Sequence, residues 1–168
     1  MFLSVFDIFK VGIGPSSSHT VGPMVAAGRF LDDLRKHLVS CEVDRLRVFL
    51  HGSLAFTGKG HGSDRAVVLG LMGERPELLD PEMADGLMEQ TETHKSVAVK
   101  GIGEIAFDPA EDIVFDFEQA LPGHANAMRF VALGGDKLIL CAPGMAHGAQ
   151  APFTGLWWSG GDSGVLVF

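Results

Sequence analysis

Cysteine is scarce in this sequence: Cys41 and Cys141 are the only two among 168 residues. Two isolated thiols cannot supply the three or four ligands of a zinc or iron–sulfur centre, so each reads as a small buried hydrophobe. A cluster, if the chemistry needs one, must be held by another domain or chain. Basic charge is also short. Thirteen Lys and Arg face 21 Asp and Glu, a net charge of −8. That balance lacks the cationic face needed to neutralise phosphates and argues against nucleic acid as a partner. No apolar run reaches the ~18 residues of a spanning helix, so no membrane insertion is expected. The opening MFLSVFDIFKVGIG is apolar but short, carries Asp7 and has no cationic leader. It reads as a first structured segment rather than a signal peptide, and the expected location is cytoplasmic. Internal repeats, low-complexity tracts and long linkers are absent too.

What remains is a folded chain of ordinary size. Apolar residues make up 46% and charged residues 20%, proportions that suit one domain over 1–168 with a real core. Glycine is the excess, at 22 of the 168 residues against a usual ~7%. The glycines are not periodic and sit beside histidines, hydroxyls and Asn, where a backbone must pass close to a ligand or take positive φ.

Periodicity places the elements. Val21, Met24, Val25, Gly28, Leu31, Leu34 and Leu38 recur at three- and four-residue steps, which predicts a helix over about 22–38. Thr20 is placed to cap it, and Pro23 suits its first turn. Alternation of Leu46, Val48 and Leu50 predicts a strand over 43–51. A glycine-rich loop is expected over 52–62, then a helix over about 64–72 with Ser63 as its cap. Asp80-Pro81 opens a short helix, with Asp as cap and Pro at the first helical position. Strands are expected at Ile102–Phe107, Ile113–Phe117, Met128–Leu133 and Lys137–Cys141, the last two as a hairpin through Gly134-Gly135-Asp136. This order is not strict β-α-β alternation; it predicts an α+β domain, a mixed sheet with helices packed on one face.

Three segments share one character, with His, Ser, Thr or Asn embedded in glycine before a regular element. In the first, Ser16, Ser17, Ser18, His19 and Thr20 precede a helix start, where unpaired N–H groups and a partial positive charge attract a carboxylate. One hydroxyl suffices for a cap; three with an imidazole point to a site. In the second, His51 to Asp64, Gly58-Lys59 resembles a phosphate loop superficially, but Gly60 stands where Ser or Thr is required. His61 is placed for proton transfer or anion binding, and Lys59 for neutralising a carboxylate. In the third, His124 and Asn126 lie two apart, on one face of an extended chain, as a donor and acceptor pair for a polar substrate. His37, His94 and His147 have no such setting and read as surface or structural. Asp108-Pro109 reads as a turn, and Glu111, Asp112, Asp116 and Glu118 as the solvated side of a strand.

Taken together, these motifs resemble the beta (N-terminal) domain of bacterial iron–sulfur L-serine dehydratases. The resemblance rests on Ser4-Val5-Phe6-Asp7 with Ile13 through Thr20, on His51 through Ala55 with Gly60 through Asp64, and on His124 through Phe130. It covers about residues 3–133, departing at Ala125, where proline is usual, and again in the tail around Gly155–Asp162. It implies conversion of L-serine to pyruvate and ammonia, with no pyridoxal phosphate. A four-iron four-sulfur cluster on a separate alpha domain, fused or on another chain, would act as Lewis acid on the serine hydroxyl. A base then removes the α-proton, hydroxide leaves and the enamine hydrolyses. By the same resemblance His61, His124 and His19 are the catalytic candidates. Ser16, Ser17, Ser18, Thr20, Lys59 and Asn126 would bind substrate, none of these residues would bind metal, and the complete enzyme is expected to be a homodimer. The fragment alone is expected to be inactive.

A regulatory reading competes, because the same fold resembles the small-anion-binding domain of some phosphoglycerate dehydrogenases. A pure anion pocket would favour Arg and Lys, however, whereas His19, His61 and His124 suit proton transfer. A plain assembly module would not need these segments.

Overall fold

The strand around which the molecule is built is the one with the clearest alternation. In the computed structural model, which describes residues 16–37, 42–118, 125–135 and 137–145, β1 (Arg45–Gly52) buries Leu46, Val48 and Leu50 completely. Apolar side chains at period two all point to one face, so burying that face fixes the register of every neighbour. β5 (Asn126–Gly134) runs antiparallel to β1, from Arg45 opposite Leu133 to Gly52 opposite Asn126. Along the other edge, β3 (Gly103–Ala106) pairs parallel at Arg45, and β4 (Ile113–Asp116) pairs parallel from Val48 to His51. β2 (Ser96–Val99) extends β3, and β6 (Lys137–Met145) extends β5, both antiparallel. The sheet is therefore mixed, in the order β2-β3-β1-β5-β6 with β4 also on β1.

Helices cover the buried face. α1 (Val21–His37) and α3 (Ser63–Leu71) lie across it, and Phe30 of α1 stacks on Phe130 of β5 with ring centroids 5.0 Å apart. Such a pair adds about 0.5–1.5 kcal/mol beyond its buried area. The two helices approach closely because α3 has a glycine at the crossing: a Cβ on Gly70 would lie 2.5 Å from the Met24 carbonyl oxygen and 2.7 Å from the Ala27 Cβ. A satellite core of Met24, Ala66, Leu69 and Ala84 joins α1 and α3 to α4 (Pro81–His94). On the opposite face of the sheet, the Arg129 guanidinium sits 4.2 Å from the Phe49 ring centroid. The architecture is the expected α+β one.

Several local readings change. The segment 52–62 is not a loop: Ser53–His61 forms α2, despite Gly58 and Gly60. Each glycine costs a helix about 1 kcal/mol, and burial of Leu54 and Ala55 against the sheet offsets it. Ser63 does not cap α3. Gly62 holds that position in the left-handed conformation, at φ 75°, with no side-chain cap bond. Asp108-Pro109 opens a single helical turn, α5 (Pro109–Asp112), whose first residues are held by Asp108 Oδ1 accepting from Ala110 N. Asp112, expected in solvent, is only 1% exposed. It pairs with the Arg45 guanidinium at 2.9 Å and accepts from Asp108 N at 2.9 Å. The Asp80 cap is as expected, accepting from Glu82 N at 3.0 Å, but α4 runs 14 residues rather than ending short. β2 was not anticipated. The expected opening segment 3–13, the tail, Cys41, His147 and the side chains of His37 and Cys141 lie outside the described residues.

Candidate functional site

The site forms where the start of α1, the whole of α2 and the start of β5 meet. Gly52, at φ 58°, turns the chain sharply from β1 into α2, a conformation open to glycine and strained for other residues. The turn brings Ser53 N within 2.7 Å of the Ala125 carbonyl oxygen. A Cβ on Gly52 would strike that same carbonyl. The second and third sequence motifs are thereby locked side by side, with Asn126, half-buried, opposite Gly52 in the β1–β5 register.

His19 is the hub of the first motif. It is 8% exposed and bonded on both ring nitrogens. Nδ1 lies 3.0 Å from Ser18 Oγ and 3.3 Å from Ser16 Oγ; Nε2 lies 2.9 Å from Thr57 Oγ1 and 3.3 Å from Ser53 Oγ. Its carbonyl accepts from Ser63 Oγ at 2.7 Å, which is where the expected cap hydroxyl goes instead. The Thr20 hydroxyl donates to the Ser16 carbonyl at 2.8 Å, so this buried residue closes the turn. Ser17 is exposed, and its carbonyl accepts from Gly22 N at 2.9 Å.

His61 ends α2 and meets His19 with ring centroids 4.9 Å apart and planes tilted by 40°. Its Nδ1 donates to the Thr57 carbonyl at 2.7 Å. A carbonyl only accepts, so neutral His61 keeps its proton on Nδ1 and presents a lone pair on Nε2. Burial pushes the His19 imidazole below its ordinary value of 6.5, and the nearby His61 adds to the effect. A hydrogen bond involving the Ser53 backbone partly opposes them.

The structure therefore joins Ser16, Ser18, His19 and His61 in one cluster, with Asn126 at its edge. Lys59 is exposed on the last turn of α2 and takes no part in these hydrogen bonds. His124 lies outside the described residues. His94, exposed on α4, lies apart from this cluster and donates from Nδ1 to the Gln90 carbonyl at 2.9 Å. His51 is fully buried on β1, its Nδ1 3.5 Å from Asp116 Oδ2. Two contributors were not singled out in advance. Ser53 and Thr57 stand four apart, on one face of a helix, a signal invisible once the segment is taken for a loop. Among the described residues no three His, Cys, Asp or Glu side chains gather to hold a metal ion. The described residues thus offer no ligand set for the cluster the resemblance implies.

Residues 4–143 match the family described as serine dehydratase beta chain. The chain belongs to that family. An L-serine dehydratase of Streptomyces coelicolor is 48% identical over 128 residues, covering 76% of this chain and 28% of the relative. L-serine dehydratase 2 of Escherichia coli is 43% identical over 138 residues, covering 82% of this chain and 30% of the relative. An L-serine dehydratase of Helicobacter pylori is 42% identical over 137 residues, with 82% and 30% covered. As a serine dehydratase beta chain, this sequence spans less than a third of the length of these relatives. No helix among the described residues is long and apolar enough to cross a membrane.

Proposed function

We propose that this chain is the beta part of an L-serine ammonia-lyase and supplies the polar and proton-transferring groups of its active site. The observation that carries the reading is the paired imidazoles at the meeting point of all three motifs, His19 and His61 at 4.9 Å, in a chain whose relatives are named L-serine dehydratases. His61 Nε2 is the group placed to take the α-proton of serine; departure of the hydroxyl then leaves an enamine that hydrolyses to pyruvate and ammonia. Ser16 supplies a hydroxyl proton for the substrate carboxylate, and Ser18, whose own proton goes to His19, offers a lone pair to its ammonium. Ser17, Lys59 and Asn126 are assigned to substrate binding and His124 to a second proton transfer, while Thr20, buried with its hydroxyl on the Ser16 carbonyl, shapes the turn that presents the serines.

The remaining length of the relatives supports a second component. By resemblance this is an alpha domain, fused or separate, carrying a four-iron four-sulfur cluster, in a homodimeric cytoplasmic enzyme. The rim of the site fits such a partner. Phe56, 69% exposed, sits beside Thr57 on α2 and meets Phe117, 57% exposed, edge to face at 5.3 Å. An aromatic pair left in water on the same helix that carries Thr57 and His61 suits a docking role, since a covering domain would bury it.

The test is an anaerobic assay in which a cluster-loaded alpha domain is added to this chain and pyruvate from L-serine is followed. Activity that requires both components supports the reading. In the active mixture His61→Ala should lower turnover by about 10²–10⁴-fold, the usual contribution of a positioned acid or base, with the circular dichroism spectrum unchanged. Unchanged turnover removes His61 from the mechanism. A folded, cluster-loaded mixture that binds serine but yields no pyruvate points instead to a regulatory domain.

A further inference from the structure

We propose that Thr57 is a positioning residue that fixes the two imidazoles in opposite tautomers, leaving His61 as the proton acceptor and His19 as a holder of the serine hydroxyls. The argument is one of donors and acceptors. A threonine hydroxyl has one proton to give, and Thr57 gives it to the Ser53 carbonyl at 2.8 Å. At its 2.9 Å contact with His19 Nε2 the hydroxyl must therefore accept. Neutral His19 then carries its proton on Nε2, and its only lone pair is on Nδ1. That lone pair is already engaged, because Ser18 Oγ stands 3.0 Å away and donates to it, which leaves the proton of Ser16 Oγ, at 3.3 Å, free for another acceptor. The carbonyl of the same residue, Thr57, receives the Nδ1 proton of His61 at 2.7 Å.

The two histidines are chemically alike and nearly in contact, yet their free valences differ. His19 has spent both nitrogens on hydroxyls. His61 has spent one and keeps Nε2, on a half-buried ring. If both rings were bases the site would have to hold two cations at 4.9 Å, which is unfavourable. Thr57 removes that competition. The hydroxyl, and not the side-chain methyl or the backbone, is what His19 depends on, whereas His61 depends on the backbone alone. The structure thus makes an asymmetric prediction for a single substitution.

This inference deepens the proposed function and rests on it for the word acceptor, but the tautomers are measurable without turnover. The chain is labelled with ¹⁵N-histidine, and two-bond ¹H–¹⁵N correlations are recorded above the imidazole pKa range. The wild type should show His19 protonated on Nε2 and His61 on Nδ1. Thr57→Val should change the His19 pattern, by mixing or reversing its tautomers, and leave that of His61 in place, which also reports that α2 is intact. Thr57→Ser should restore His19. A wild-type His19 protonated on Nδ1 overturns the proposal without any variant, as does a His19 pattern indifferent to Thr57→Val. In the active two-component mixture, Thr57→Val should lower kcat by up to about 10²-fold, the cost of a misplaced catalytic group, with Thr57→Ser close to wild type. Equal kcat for Val and wild type overturns the assignment of the hydroxyl. If the wild-type mixture makes no pyruvate but the tautomers are as stated, the enzymatic reading fails and the positioning role stands.

Discussion

At the scale of single residues, His19 links the site to stability. Its imidazole is held below the ordinary value of 6.5, mainly by burial and then by the charge on His61. In the unfolded chain the same ring returns to that ordinary value, so below it the unfolded state binds the proton more readily. The stability tied to the neutral ring is therefore fully present above pH 6.5 and is lost as pH falls through the lower, folded value. Urea unfolding midpoints of wild type and His19→Gln, compared on both sides of pH 6.5, should differ by a constant amount above it and converge below it. A difference that stays flat into acid would show that the ring protonates without strain. His19, His61 and the serines were legible as site residues because glycine-rich motifs flanked them. Their hydroxyl partners were not, since Ser53 and Thr57 gain meaning only as one face of a helix.

At the scale of elements, the strongly periodic segments were read to within a few residues. α1, β1 and β5 have long buried stripes, and burial of one face selects both element and register. Misreadings fell where local preference and packing disagree. α2 has Gly58 and Gly60, and its helical state is imposed by burying Leu54 and Ala55. β2 has only four residues and follows directly on the left-handed Lys95 that ends α4, too short for periodicity to speak. The acidic neighbours of Asp112 suggest a solvated side chain, yet it is buried, and Arg45 and the Asp108 backbone amide compensate that burial. The α1–α3 crossing shows the same primacy of packing. With Met24 and Ala27 already in contact range of Gly70, Gly70→Ala gains helix propensity of under 1 kcal/mol and must force the helices apart. Overpacking of this kind costs about 1–3 kcal/mol. The variant should therefore lower the urea midpoint, while an equal or raised midpoint would show that the crossing relaxes at no cost.

At the scale of the whole molecule, the proposed function makes the site one wall of a chamber that a second component would close. Ser16 and Ser18 precede the start of α1 and His61 ends α2, while Phe56 of α2 and Phe117 stand exposed against each other. In water the proton acceptor would be solvated and the substrate poorly held, whereas a second component seated on the aromatic pair would leave the reacting atoms in a dry, oriented space. The relatives, more than three times the matched length, contain enough chain for that wall. If the alpha domain binds here, the two phenylalanines act as its anchors and not as incidental surface. Central aromatic anchors typically cost more than 1 kcal/mol each when truncated, so Phe56→Ser combined with Phe117→Ser should weaken association by about tenfold or more. Titration calorimetry of the separately produced alpha domain into this chain measures that change. The wild-type tautomers of His19 and His61 should persist in the double variant, because neither ring takes part in their hydrogen bonds. Weakened association with intact tautomers separates docking from chemistry. An unchanged affinity would place the second wall on another face, leaving the aromatic pair without a role in assembly.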